Sequence, residues 1–178
     1  RQSALSYHVP GGDIGTAWRD PSFTDPGGLF LTQSGGNPLY LGVGYDTKGE
    51  YDPLLSTFLA TGTTTACLRV PFQVADPAAL SGLALEMQYD DAFIAWLNGV
   101  EVARSSGAPA TPAWNSRSLV VHNSALDQGE NFDLTAYLGQ LRAGSNVLAI
   151  QVFNQSSGSS DLLANPRLTA AVASSTDV

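Results

Sequence analysis

The stretch Tyr89–Arg104, Y-D-D-A-F-I-A-W-L-N-G-V-E-V-A-R, decides the fold. Phe93, Ala95 and Leu97 alternate with Ile94 and Trp96, the period-two pattern of a β-strand. Asn98-Gly99 follows, a pair suited to the left-handed backbone of a two-residue hairpin, and Val100–Ala103 returns as the partner strand. Just upstream, Leu83, Leu85, Met87 and Tyr89 alternate with Ala84, Glu86 and Gln88, which predicts a second, half-buried strand. Trp96 and Ile94 fall on the face opposite Phe93. That face is either covered by a loop or left open as a platform.

Outward from this hairpin the strand signal persists. Val147–Phe153 is the strongest strand in the chain, launched by Ala143-Gly144-Ser145-Asn146. Before it, Phe132–Leu141 reads as a helical turn capped by Asp133, with Leu134, Tyr137, Leu138 and Leu141 inward. Ala66–Val74 is a strand. Asp76–Leu80 is a short helical turn with Asp76 as cap and Pro77 at its first position. Leu168–Val172 is the last strand. The loop-rich first third, punctuated by P-G-G, D-P-G-G, S-G-G-N-P and K-G-E-Y-D-P, holds short strands at Leu29–Thr32 and Tyr40–Val43, and Trp18 reads as core in a first strand. Many strands, few helical turns and no β-α-β alternation predict an all-β fold, a two-sheet antiparallel β-sandwich with one or two short helical turns. One module is expected over residues 1–172, with 173–178 a polar tail or linker.

Composition agrees. The 178 residues are 43% hydrophobic and 13% charged, with 18 Gly and 10 Pro spread without a period. Such a chain buries a core and is no collagen-like repeat. Its eight basic residues are scattered and its net charge is −8, so nucleic acid is not an expected partner. No apolar run reaches the ~20 residues of a membrane span. Cys67, the single cysteine, sits in a strand-like run and reads as a buried, inert thiol. The opening R-Q-S-A-L-S-Y and closing A-S-S-T-D-V suggest a module excised from a longer protein.

Two strings carry a family likeness. Y-D-D-A-F-I-A-W-L-N-G-V-E-V-A-R, followed by F-D-L-T-A-Y-L-G-Q-L-R-A-G-S-N-V-L-A-I-Q-V-F-N, resembles the galactose-binding-like jelly roll. Similar strings occur in sugar-binding domains of β-galactosidases and β-glucuronidases and in accessory modules of large secreted bacterial proteins. A-W-R-D-P-S-F-T-D-P, G-V-G-Y-D-T and S-S-D-L-L-A-N-P-R-L-T extend the likeness over most of Thr16–Ala170. It implies a galactose-binding-like jelly roll and at most one structural Ca²⁺ in the terminal loops, where Asp13, Asp20, Asp25, Asp46 and Asp52 are candidates. The fold hosts sugar binders, adhesion modules and spacers alike, so function has to come from a site.

Catalysis has little to stand on. His8 and His122 lack nucleophile or metal-ligand spacing, and neither G-x-S-x-G nor H-E-x-x-H occurs. The acidic pair Asp90-Asp91 has two readings: with Asp46 it holds Ca²⁺, as a loosely similar pair does in yeast-adhesin-type lectins, or it caps a turn. Sugar sites need an aromatic face and planar polar groups, which Trp114, Asn115 and Arg117 offer in one loop. Trp114 is alternatively an anchor of that loop. Tyr45, with Asp46 and Tyr51, forms a third aromatic-polar group. These residues predict a non-catalytic carbohydrate-binding module of a larger secreted or cell-surface bacterial protein. Its ligand would be a polysaccharide or glycan contacted by Trp114, Asn115, Arg117, Asp90, Asp91 and Tyr45, and its other partners the domains joined to it in the chain. The alternative is a structural or protein-adhesion sandwich with no small ligand.

Overall fold

A computed structural model describes residues 5–25, 27–33 and 42–173. Eleven strands among them form two sheets: β1 Ser6–His8, β2 Leu31–Thr32, β3 Gly42–Asp46, β4 Leu55–Phe58, β5 Thr65–Val74, β6 Leu80–Asp90, β7 Ala92–Leu97, β8 Val100–Arg104, β9 Glu130–Asp133, β10 Gly144–Phe153 and β11 Asp161–Val172. One sheet has the order β2-β1-β5-β10-β7-β8 and the other β4-β3-β11-β6-β9. The fold is an all-β two-sheet sandwich. Its pairs are antiparallel except β3 with β4, which run parallel.

Alternation builds the layers. Phe93, Ala95 and Leu97 of β7, Leu148, Ile150 and Val152 of β10, and Ala66, Leu68 and Val70 of β5 point between the sheets, where they meet Leu83, Leu85 and Met87 of β6. The intervening residues Cys67, Ile94, Trp96, Ala149 and Phe153 face outward, yet they too are buried, in a second cluster with Trp18 and Phe30. Central strands covered on both faces read as nearly continuous apolar runs, as Ala92–Leu97 does. Burial also fixes Cys67 as inert, since its thiol is pushed up to about 12 by desolvation.

Four short 3-10 turns occur among the described residues, at Ala17–Arg19, Asp52–Leu54, Pro77–Ala79 and Thr135–Gln140, more than the one or two expected. Asp76 caps the third by accepting the Ala78 amide at 2.9 Å, and Asp133 accepts the Thr135 amide at 2.9 Å. Trp18 is buried as expected but sits in the first of these turns, not in a strand. The following Asp20-Pro21-Ser22 explains why: Asp20 accepts the Ser22 amide at 2.8 Å, a local turn that competes with strand pairing. Only Leu31–Thr32 of the segment Leu29–Thr32 pairs as a strand, because the Leu29 and Phe30 amides are donated to the Asp25 carboxylate at 2.8 Å each. Tyr40 and Leu41 of the strand expected at Tyr40–Val43, the S-G-G-N-P segment and tail residues 174–178 lie outside the described residues.

The two strings that suggested the family meet in space. Asn98 takes φ 51° and Gly99 φ 89°, as a hairpin turn of this kind requires. Asn98 Nδ2 donates to Asn146 Oδ1 at 2.7 Å, and Asn98 Oδ1 accepts the Val147 amide at 2.9 Å. Asn146 in turn accepts the Arg142 amide at 2.9 Å and donates to the Arg142 carbonyl at 2.8 Å. The pair thus ties the β7–β8 turn to the start of β10. Replacing Asn146 by Ala leaves buried donors and acceptors unmade, so Asn146→Ala should cost about 1–3 kcal/mol. Urea unfolding tests this, and an unchanged midpoint would count against it.

Candidate functional site

Two places in the fold gather polar and aromatic side chains. The first lies on the outer face of the β5–β10–β7 sheet, where Trp96 needs cover. Trp18 meets it edge-on with ring centroids 5.8 Å apart, and the Arg19 guanidinium lies 3.8 Å from the Trp96 centroid. A cation over an indole face is attracted by the ring quadrupole. The turn that presents Trp18 and Arg19 is held from below by Arg69, which donates to the carbonyls of Trp18 and Asp20. The covering-loop reading of Trp96 is therefore the observed one.

Beside this stack the chain returns at Ala113–Ser116, a turn closed by the Ser116 amide on the Ala113 carbonyl at 3.2 Å. Gln151, on the outward face of β10 and 3% exposed, donates to that carbonyl at 2.9 Å. The turn carries Trp114, half-buried. Between the two turns opens a cleft of about 250 Å³, walled by Asp13, Thr16, Trp18, Arg19, Trp114 and Gln151. Arg19 lines it, its Nε buried with no hydrogen-bond partner, and desolvation holds the guanidinium below its ordinary value. Asp13 keeps its loop in shape by accepting the Gly15 amide at 2.8 Å. An aromatic wall, a guanidinium, a carboxylate and a hydroxyl in one cleft suit a polyhydroxylated ring. Asn115 and Arg117 share the Trp114 loop and are exposed, outside the residues that line the cleft.

The second place is the end of β6. Asp90 and Asp91 are 1% and 3% exposed. Asp91 Oδ1 accepts the His122 amide at 2.8 Å and its Oδ2 the Gln155 amide at 2.7 Å, so it clamps two loops to the strand end. Asp90 Oδ2 accepts from the Tyr51 hydroxyl at 3.0 Å, while its Oδ1 is buried without a partner. Tyr45, 3% exposed, receives a hydrogen bond from Asn154 Nδ2 at 3.0 Å and is likewise inside. Asp90, Asp91 and Tyr45, expected as ligand contacts, are buried: the loop carrying His122 and Ser124 packs over the strand end, with the Ser124 amide donated to the Tyr51 hydroxyl at 3.0 Å. They are not brought together with Trp114.

The Ca²⁺ candidates divide in the same way. Asp46 accepts the amides of Lys48 and Tyr51, both at 2.7 Å, and Asp20 and Asp25 accept amides of their own turns. These are turn formers. Among the described residues no three His, Cys, Asp or Glu side chains converge as a metal-ligating group.

Sequence reasoning missed Arg19, Thr16 and Gln151 at the cleft and Asp161 beside Asp90; it named Asp13 only as a Ca²⁺ candidate and Tyr51 only as a companion of Tyr45 and Asp46. One signal was available: Trp96 on the off-face of a buried strand demands a cover, and the neighbouring Trp18-Arg19 pair supplies aromatic and cationic groups together. Nothing in the sequence pairs Gln151 with Ala113.

The sequence matches no protein-family model and no curated protein. Among solved structures, the chain is similar to a glycosyl hydrolase family 2 member from Bacteroides cellulosilyticus, with 16% identity and a TM-score of 0.49 over 95% of this chain and 21% of that one. It is also similar to Bifidobacterium dentium β-glucuronidase complexed with coumarin-3-O-glucuronide, with 17% identity and a TM-score of 0.48 over 85% of this chain and 19% of that one. A third is Streptomyces avermitilis α-L-rhamnosidase complexed with L-rhamnose, with 20% identity and a TM-score of 0.43 over 64% of this chain and 9% of that one. The chain thus spans about a fifth or less of the length of each.

Asp90 yields a pH prediction. Burial, followed by the charges of Asp161 and Asp91, pushes its carboxyl up to about 8, whereas an unfolded aspartate titrates near ~3.9. Between those values the folded state binds the extra proton, so stability falls as pH rises through the window. Asp90→Asn has no such proton to lose. The wild-type melting temperature should fall relative to that of Asp90→Asn between about pH 4 and 8. Parallel melting curves across that range would contradict the assignment.

Proposed function

We propose that this sandwich is a non-catalytic carbohydrate-binding module of a larger secreted or cell-surface bacterial protein, and that the glycan binds in the cleft between Thr16–Arg19 and Ala113–Ser116. The observation that carries this reading is the meeting, in one concave site of about 250 Å³, of Trp114 with Arg19, Asp13 and Thr16. Pyranose rings present a C–H face to an aromatic ring and hydroxyls at their edges, which side chains of these types pair. The resemblance of the Tyr89–Arg104 and Phe132–Asn154 strings to galactose-binding-like jelly rolls supports a glycan partner and covalently joined neighbouring domains.

The structural or adhesion reading has a surface of its own. At the other end of the sandwich an apolar cleft of about 510 Å³ opens between the sheets, lined by Val70, Phe72, Leu80, Leu168 and Val172. An apolar opening of that size would suit the packing of an adjoining domain.

The Trp114→Ala variant separates the readings. Trp114 is half-buried, so its loss should leave the melting temperature within a few degrees while weakening glycan binding about tenfold or more. Calorimetry after a glycan-array screen measures the second effect and thermal melting the first. A destabilisation of about 3–5 kcal/mol, as for a core aromatic, would make Trp114 an anchor. A wild-type domain that binds no glycan would hand the case to the structural reading.

A further inference from the structure

Arg19 is an unusual cation for this chain. Among the described residues the ion pairs are Arg104 with Glu101, His122 with Glu130, and Arg167 with Glu86. Arg69 spends its guanidinium on the carbonyls of Trp18 and Asp20. Arg19 is half-buried between aromatic rings, 3.8 Å from the Trp96 centroid and 5.3 Å from that of Trp18. No carboxylate of the described residues lies within ion-pairing distance of it, and its Nε is buried with no partner. A guanidinium in that condition is incompletely satisfied, because burial removes water and nothing replaces it at Nε. The residue lines the cleft that Trp114 also lines.

We infer that the cleft selects an acidic sugar, a uronate whose carboxylate pairs with the guanidinium of Arg19 while its ring lies against Trp114. This rests on the carbohydrate-binding reading and names the ligand class of the same site. Guanidinium and carboxylate match as planar groups and form charge-assisted hydrogen bonds, stronger than those a neutral hydroxyl accepts. Asp13, on the same wall, is an acceptor for a ring hydroxyl, so the site offers a donor for the acid and an acceptor for the alcohol. The domain's net charge of −8 gives an anionic sugar no general attraction. Preference for an acid must therefore reside in the local guanidinium.

The test uses the whole chain and matched ligands: oligogalacturonate, oligomannuronate and oligoglucuronate, each beside its carboxyl-reduced counterpart, in calorimetric titrations at pH 7. Wild type should bind at least one uronate about tenfold or more tightly than its reduced form, the gain expected of a charged hydrogen bond. Arg19→Gln keeps a planar end group over Trp96 and removes the charge, so it should bring the acid and reduced forms to near parity. The wild-type ratio decides the matter even where Arg19→Gln fails to fold. Reduced sugars bound as well as or better than their acids would overturn the uronate assignment and leave the glycan reading standing. A preference for the acid that persists undiminished in folded Arg19→Gln would overturn the role of Arg19. Binding of neither class, here or on a glycan array, would overturn both.

Discussion

The outer face of the β5–β10–β7 sheet cannot face water. Its central strands carry Ile94, Trp96, Ala149 and Phe153 away from the core between the sheets, and every one of them is buried. The Arg19 guanidinium over Trp96, with Trp18 edge-on to the same ring, is the contact that closes this face. Much of the surface structure follows from it. The first third of the chain is drawn across the sheet as a cover, Arg69 fixes the turn that holds the stack, and the Trp114 turn has to fit beside it.

A cover made of loops leaves gaps where two loops meet, and here the gap is lined by what the cover needed anyway. The cation over the indole is needed for the cover, and with Trp114 on the neighbouring turn it walls a cleft of about 250 Å³. The end of β6 shows the opposite economy. Asp91 gives both oxygens to backbone amides, and Asp90 is buried against Tyr51 with one oxygen unpaired. That corner holds loops in place and carries a titration up to about 8 as the consequence.

The sheets were largely legible in the chain because alternation and turn chemistry are local. Phe93–Leu97, Asn98-Gly99 and Val147–Phe153 announced a hairpin and a central strand, and all three are where expected. Trp18 was legible as core but not as a turn, since Asp20 diverts the Ser22 amide into a local turn. The parallel pairing of β3 with β4 left no mark on either segment. The cleft was half legible: Trp114 stood out, but Arg19 and Gln151 join it only through contacts across more than thirty residues of sequence. Asp90 and Asp91 looked like surface ligands because adjacent carboxylates usually are exposed. What hides them is a loop whose packing no local pattern encodes.

The central claim is that the site lies on the covered outer face, between the Thr16–Arg19 and Ala113–Ser116 segments. Amide and indole NMR shifts recorded during titration with a bound glycan test it directly. The account predicts shifts at Thr16, Trp18 and Arg19, at the Trp114 indole and at the Gln151 side-chain amide, with the Tyr51 and Asp90 region unmoved. Shifts gathered instead around Tyr51, Asp90 and His122, with Trp114 silent, would contradict it.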